Sequence, residues 1–596
     1  MKCIQLKENH PVKMPKKSIT FQWAAIGMFV FSFPFSGLSA ASIKAATQVA
    51  DTVYFGGSIL TMEGDSPTYA EAISVKDGKI LSIGNKTDVL KDQGDHSRVV
   101  DLQGKVLLPG FIDAHGHAWT TGFQKLSANL LPPPDGGGRS IPAVVEALKS
   151  WQQKNAIAID KVGWIVGFGY DDSQLAEQRH PTADDLDQVS TELPVVIIHQ
   201  SAHLAVMNHK ALEMSGISAQ TANPSGGVIR RTNDGKTPDG VLEEMAFFAP
   251  IFKLLATFDP SVNEKIALAG ADYYAQYGFT TAQEGRASKA QVETWQKLAS
   301  QKKMKIDVAA YPDLQAEQAF MKTVSPSAKY DNHFRIAGVK LSLDGSPQGR
   351  TAWMTEPYKV PPPGQPVDYK GYPAIPKAED REALVNQAFK RNWQVLAHCN
   401  GDAASDAFID AVAKAEKSYG KGDRRTVMIH AQAVREDQLD KMKSLGIIPS
   451  FFGMQTFYWG DWHRDVTMGK ERAFRWDPAA SAIKRGMLFT EHHDAPVATP
   501  SAMMIVFASV NRTSRSGEVI GSDQRISPYL ALKSITASAA YQYFEERRKG
   551  TLLPGKLADF VILDNDPTKV APATIKDIQV LETIKEGETV YQAVEG

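Results

Sequence analysis

The chain has 596 residues, of which 43% are hydrophobic and 22% charged, and its formal net charge is -1. That length exceeds one small domain but suits a barrel of about 250 residues or more with insertions, and the composition is ample for a large core. A charge so near zero leaves no electrostatic footprint for nucleic acid or an anionic membrane surface, and both are set aside as partners.

Taken in order, Lys13, Lys16 and Lys17 precede an apolar run over about 21–38, and Ser39, Ala40 and Ala41 follow it. This predicts a cleavable signal peptide over 1–41 and an exported protein, periplasmic or secreted. Ser32, Pro34 and Ser36 interrupt the run and argue against a stable membrane anchor. Cys3 would leave with the signal, so Cys399 remains alone and no intramolecular disulfide is expected.

Short alternating stretches at 52–62, 72–75 and 79–83, with an Asp77-Gly78 hairpin turn, resemble a piece at the other end: 558–563, 580–584 and 589–592, around Glu586-Gly587. Neither end has enough strands to bury its own face, so 50–105 and 550–596 are expected to form one composite β-sandwich. Between them, apolar strands alternate with helical stretches at 106–117, 278–284, 305–311, 335–343, 394–398, 426–430, 447–452 and 487–494. Eight such α/β units predict a (β/α)8 TIM barrel over 106–549, with an insertion at about 120–260.

Barrel enzymes place their chemistry at the C-terminal ends of the strands. Here those ends carry His115 and His117, Lys340, His398, His430 and Asp494. His115 and His117 are two apart, which puts both on one side of a strand, and imidazole is a common ligand of zinc and similar ions. A lysine inside a barrel must be neutral, paired or modified, because burying an unpaired ammonium is costly. A neutral lysine reacts with carbon dioxide to give a carbamate, an anionic oxygen ligand able to bridge two ions.

With Leu-Pro-Gly-Phe-Ile-Asp-Ala-His-Gly-His at 108–117, Val-Lys-Leu-Ser-Leu-Asp-Gly-Ser at 339–346, Ala-His-Cys-Asn-Gly-Asp at 397–402, His-Asp-Ala-Pro-Val at 493–497 and Leu-Pro-Gly-Lys-Leu-Ala-Asp-Phe-Val at 553–561, the chain resembles the metal-dependent amidohydrolase superfamily. Within it, the resemblance is to the amidohydrolase family 3 branch, which includes N-substituted formamide deformylases. The resemblance implies that His115, His117, Lys340, His398 and His430 bind one or two divalent ions, zinc being expected, with Asp494 beside them and Lys340 carbamylated. Glu284, at the end of the second strand, is the alternative bridging carboxylate. Glu491-His492-His493 departs from the Gly-Ser that relatives often carry before this aspartate.

The expected reaction is hydrolysis of a C–N bond, amide, N-acyl or N-formyl, with Asp494 moving the proton from water to the departing amine and His430 or His203 stabilising the oxyanion. The same site would also serve an ester, lactone or phosphoester hydrolase, and a non-catalytic binding or regulatory protein could keep the fold. The aromatic stretch 457–463 and Trp353 suggest a small-molecule substrate with an apolar or aromatic substituent. Arg350, Arg512 and Arg515 are candidates for a substrate carboxylate. Cys399 should face away from the barrel axis, Asp344 is expected to brace Lys340, and a homo-oligomer is compatible with all of this.

Overall fold

The computed structural model describes residues 48–594, and the signal peptide expected over 1–41 lies outside them. The chain ends do meet. Strands Glu588–Gln592, Val580–Lys585, Phe560–Leu563, Val106–Pro109, Thr52–Leu60, Tyr69–Lys76 and Lys79–Gly84 lie side by side in that order, and Arg98–Asp101 pairs with Thr52–Leu60. Hydrogen bonding therefore joins the ends into one eight-stranded sheet, where two facing layers were expected. Both hairpin turns have the expected geometry. Asp77 and Gly78 have φ of 48° and 71°, and Glu586 and Gly587 have 50° and 83°, the positive pair that matches strand twist. Tyr54, Ile73, Leu107, Phe560, Ile562 and Ile584 form the core of this unit.

The run read as one strand, 106–117, is two. Val106–Pro109 pairs with Phe560–Leu563 in the end sheet, and only Phe111–Ile112 joins the parallel strands beside Phe279–Ala287. Pro109 lacks an N–H and Gly110 sits so close to Thr280 that a Cβ would fall 2.4 Å from its side chain, so the ladder breaks here. Strand pairing thus changes partner sheet at Pro109-Gly110.

The parallel strands form two sheets. One runs Phe111–Ile112, Phe279–Ala287, Asp307–Pro312, Phe334–Ile336, and the other Val339–Ser342, Val395–Cys399, Val427–His430, Ile448–Phe451, Thr490–Glu491. An Asp313–Lys340 bridge links them. The expected 335–343 strand is split between the sheets at Ala337-Gly338, where a Cβ on Gly338 would meet Gln394 O at 2.6 Å. The last strand is shorter than expected and stops before Asp494. Ile112, Tyr311, Leu396, Val427, Ile429 and Ile448 pack on one side of these strands. Val339, Leu341, Val395, Ala397, Cys399 and Phe451 join the core that also holds helix residues such as Ala404 and Phe408, the alternation a two-sided buried strand requires. Cys399 thus lies on the helix side, buried and without a disulfide partner among the described residues.

Helices Lys289–Ser300, Asp402–Tyr419 and Glu436–Ser444 each follow a parallel strand. Ser288 and Gln291 make a capping box at the first, and Ala404, Phe408, Val412 and Ala415 bury one stripe of the second. Asp307 ties the parallel strands to the end sheet by accepting from Lys549 at 2.6 Å and Lys585 at 2.8 Å. The excursion between the first two parallel strands is richer than expected. It holds a six-stranded sheet in the order Gly227–Arg231, Pro238–Glu244, Leu204–Met207, Val195–His199, Ile165–Tyr170, Ala128–Asn129, with a core of Leu130, Val144, Leu148, Ile165, Ile197 and Val206. Among the described residues, no single helix is long and apolar enough to cross a membrane.

Candidate metal centre

His115, His117, Lys340, His398, His430 and Asp494 converge at the C-terminal ends of the parallel strands. His115 Nε2 and His117 Nε2 lie 3.2 Å and 3.3 Å from Asp494 Oδ1. Lys340 Nζ is 2.8 Å from His115 Nε2. On the far side of the lysine strand, His430 Nε2 faces His398 Nδ1 at 3.0 Å. Donor atoms of His115, His430 and Asp494 all fall within 4.8 Å of one another.

Each imidazole is oriented by its other nitrogen. His117 Nδ1 donates to Gly285 O at 2.6 Å, and His115 Nδ1 donates to Gln283 Oε1 at 2.6 Å. The Gln283 amide is itself set by Nε2, which donates to Ala114 O at 2.9 Å. Nδ1 protonation leaves the Nε2 lone pair of both histidines directed at Asp494 and Lys340, the arrangement that outer hydrogen bonds commonly impose on metal-binding histidines. His398 Nε2 sits 3.3 Å from Gly345 O and 3.5 Å from Asp344 Oδ1.

His430 reaches the site through backbone strain. Val427 and Ile429 already face the inner core, so strict alternation would turn His430 toward the helices. Its φ of 72°, followed by 48° at Ala431, swings the ring inward, to 4.4 Å from the His398 ring centre. Left-handed backbone at non-glycine residues costs on the order of 1–3 kcal/mol and concentrates at functional sites. Asp494 has φ 54°.

Burial sets the charge state. It holds His115, His398 and His430 well below the ordinary histidine value, so they are neutral and keep lone pairs for ligation. It also draws the Lys340 ammonium down to about 7, which leaves a large neutral fraction at neutral pH. The residues fit a divalent ion. His430 Nδ1 and Asp494 Oδ1 are buried without a hydrogen-bond partner, although Asp494 Oδ1 is in near contact with two imidazoles. Acceptors drawn together with no proton between them suit a cation.

Glu284 does not join this set. Gln283 faces His115, so its neighbour points the other way, where Oε2 accepts the Trp119 backbone N–H at 2.6 Å and the Trp295 indole at 2.9 Å. Burial pushes its carboxyl up to about 8. Asp344 braces His398 rather than Lys340: it accepts the N–H groups of Trp353, Asn400 and Gly401 at 3.0, 3.0 and 2.7 Å. Arg512 is buried and spends its guanidinium on the carbonyls of Trp476, Asp477 and Ile520, which removes it as a carboxylate binder. Arg350 reaches the carbonyls of Val360 and Pro361, and Arg515 lies over the Tyr458 ring at 4.9 Å.

His203 stands beside the site, its ring centre 5.5 Å from that of His398. Glu244 Oε2 holds His203 Nδ1 at 2.8 Å, while Glu244 Oε1 accepts from Thr351 Oγ1 at 2.8 Å. Part of the aromatic stretch is structural. Tyr458 donates to Asp135 at 2.7 Å and the Trp459 indole to Asp171 at 2.6 Å, so these buried rings fasten the excursion over the strand ends.

Two further features involve histidines outside the expected ligand set. Asp171, Asp172 and His199 bring possible ligand atoms together in the excursion, but Ser201 N donates to His199 Nδ1 at 3.0 Å. The proton therefore sits on Nε2, which donates to Asp172 at 3.1 Å, and this is a hydrogen-bond chain. The second feature is His492. It belongs to the Glu491-His492-His493 stretch that departs from the family's usual Gly-Ser, and its ring centre lies 5.1 Å from that of His430.

Comparison with known proteins agrees with this geometry. Residues 98–591 match the model of the amidohydrolase family. The N-substituted formamide deformylase of Arthrobacter pascens is 25% identical over 92% of this chain and 99% of its own length. The protein LONG AFTER FAR-RED 3 of Arabidopsis thaliana is 29% identical over 87% of this chain and 88% of its own. Among solved structures, an uncharacterized metal-dependent hydrolase from Pyrococcus horikoshii superposes with a TM-score of 0.69 at 23% identity, over 87% of this chain and 99% of that one.

Proposed function

Because the chain belongs to the amidohydrolase family, we propose that it hydrolyses the C–N bond of a small amide, an N-acyl or N-formyl amine, at a two-ion centre bridged by carbamylated Lys340. That it is a metal-dependent hydrolase of the amidohydrolase type follows from the family and from the donor set. The observation that carries the finer reading is the division of the donors. His115 and His117 gather on Asp494, His398 and His430 face each other at 3.0 Å, and Lys340, half-neutral near pH 7, stands beside His115. In this reading the two parallel sheets close as a (β/α)8 barrel, and zinc is the expected ion, since neutral imidazole and carboxylate oxygen are its common ligands.

A bound divalent ion supplies Lewis acidity toward the carbonyl and lowers the pKa of water. The chain's own groups do the rest. Asp494 accepts the proton of the attacking water at its carboxylate and delivers it to the departing amine, which leaves poorly without one. His203, as an imidazolium with Nδ1–H held by Glu244, would donate Nε2–H beside the His398 ring to the oxygen that gains charge. Trp459 and Tyr458 hold the excursion in place over the site and keep bulk water out.

The deciding experiment is a screen of zinc-loaded protein with matched N-formyl and N-acyl amines, esters, lactones and phosphoesters. Release of free amine as the fastest turnover is the expected result; turnover confined to the oxygen esters would overturn it. The basic and apolar stretch before residue 42 further supports export, and the intact mass of the protein recovered outside the cytoplasm should correspond to cleavage near Ala41.

A further inference from the structure

We propose that His492 is a fifth imidazole ligand of the metal centre; the proposal rests on the metal-centre reading above. His492 is fully buried, and neither of its ring nitrogens has a hydrogen-bond partner among the described residues. A neutral imidazole carries one donor and one acceptor, and burying both unpaired is costly. The atoms around it share the defect. His430 Nδ1, Asp494 Oδ1 and Ser450 Oγ are also buried and unpartnered. Such a group marks a place where something other than protein completes the coordination.

The ring positions say what that is. Two imidazoles on one ion, with nitrogens about 2.0–2.1 Å from it, place their ring centres roughly 5 Å apart in tetrahedral geometry. His115 and His117 are 5.0 Å apart. His492 is 5.3 Å from His115 and 5.1 Å from His430, and His115 is 5.5 Å from His430. The rings of His115 and His430 meet that of His492 edge-to-face, at 80° and 63°. Phe452 covers His492 at 5.1 Å with an interplanar angle of 31°, which leaves the ring little freedom to turn away.

The last strand ends at Glu491, and His492 follows it with its ring beside those of His115 and His430. His493 faces the opposite side, against Tyr274 and Phe279. The Glu-His-His-Asp stretch therefore delivers one ligand inward and one histidine outward.

The test uses the full-length protein loaded with cobalt. Ligated imidazoles whose second nitrogen keeps its proton give hyperfine-shifted N–H resonances, and five are expected in the wild type. His492→Gln should remove one of them, weaken cobalt binding about tenfold or more, and change the visible ligand-field bands. Four resonances in the wild type, with spectrum and affinity unchanged in His492→Gln, would overturn the proposal while leaving the metal centre intact. A wild type that binds no cobalt would overturn both. If His492→Gln does not fold, the wild-type count alone decides.

Discussion

His398 Nδ1 and His430 Nε2 approach to 3.0 Å across neighbouring parallel strands, although burial holds both rings neutral. That separation is close to the distance between two ligands of one ion, and it is maintained by the left-handed backbone at His430. His398→Ala should therefore lower the metal content from two ions to one and reduce kcat/KM by more than the roughly 10–100-fold typical of outer groups. Elemental analysis beside steady-state kinetics checks this; unchanged metal content would remove the second ion from the centre.

Lys340 is expected to act as its carbamate. Metal-free protein reconstituted with zinc should recover activity faster with added bicarbonate than in carbon-dioxide-free buffer. Lys340→Ala should lose nearly all activity and regain part of it when formate or acetate supplies the missing anionic oxygen. A bicarbonate-independent recovery would show that the amine itself, or another residue, does the work.

Asp494 carries the proton in the proposed reaction, and general acid–base groups contribute about 10²- to 10⁴-fold. Asp494→Asn should reduce kcat within that range for amide substrates. The loss should be smaller for an activated ester, whose leaving group needs no proton. Equal losses on both would assign Asp494 to metal binding alone.

The Glu284 carboxyl titrates at about 8 in the folded chain against an ordinary value of 4.5, through burial. The folded state thus holds a proton that the unfolded chain has lost between these values. Stability is fully present below about 4.5 and declines as pH rises through 8, by on the order of 1 kcal/mol per unit. Glu284→Gln should flatten that decline, measured as Tm from pH 5 to 9, and leave the metal content unchanged.

Asp307 offers a test of the junction between the sheets. Burial alone would raise its carboxyl, but Lys549 and Lys585 outweigh this and hold it well below the usual range. Lys549 keeps Glu545 and Lys585 keeps Asp559, so Asp307→Asn removes one shared carboxylate and should destabilise the protein by about 1–3 kcal/mol, read from urea unfolding.

The candidate donors stood out because parallel strands have a fixed period and a fixed chemical end: His115, His117, His398 and His430 close apolar runs, and Lys340 is the one charge within Val339–Ser342. What the runs concealed was where one strand stops. Val106 to His117 is uniformly apolar up to its aspartate, and nothing in hydrophobicity separates the half bound for the end sheet from the half bound for the parallel strands. Only Pro109-Gly110 marks the change. The excursion was opaque for a similar reason: Ile165–Tyr170 and Leu204–Met207 are short and lack alternation, and each has a partner strand about 30 or more residues away, at 195–199 and 241–243 respectively. His492 was hidden by its neighbour, since two adjacent histidines look alike until the register of a two-residue strand is known.

Val106–Pro109 also orders events in time. It lies between a strand near the start of the chain and one near residue 560, so the ribosome must finish almost the whole polypeptide before this strand can find its second neighbour. A stop codon anywhere between 500 and 555 would spare every candidate ligand and still leave Leu107 and Leu108 on a bare edge. Such truncated products should accumulate as aggregates, and loss-of-function alleles should extend well past the last residue that does chemistry.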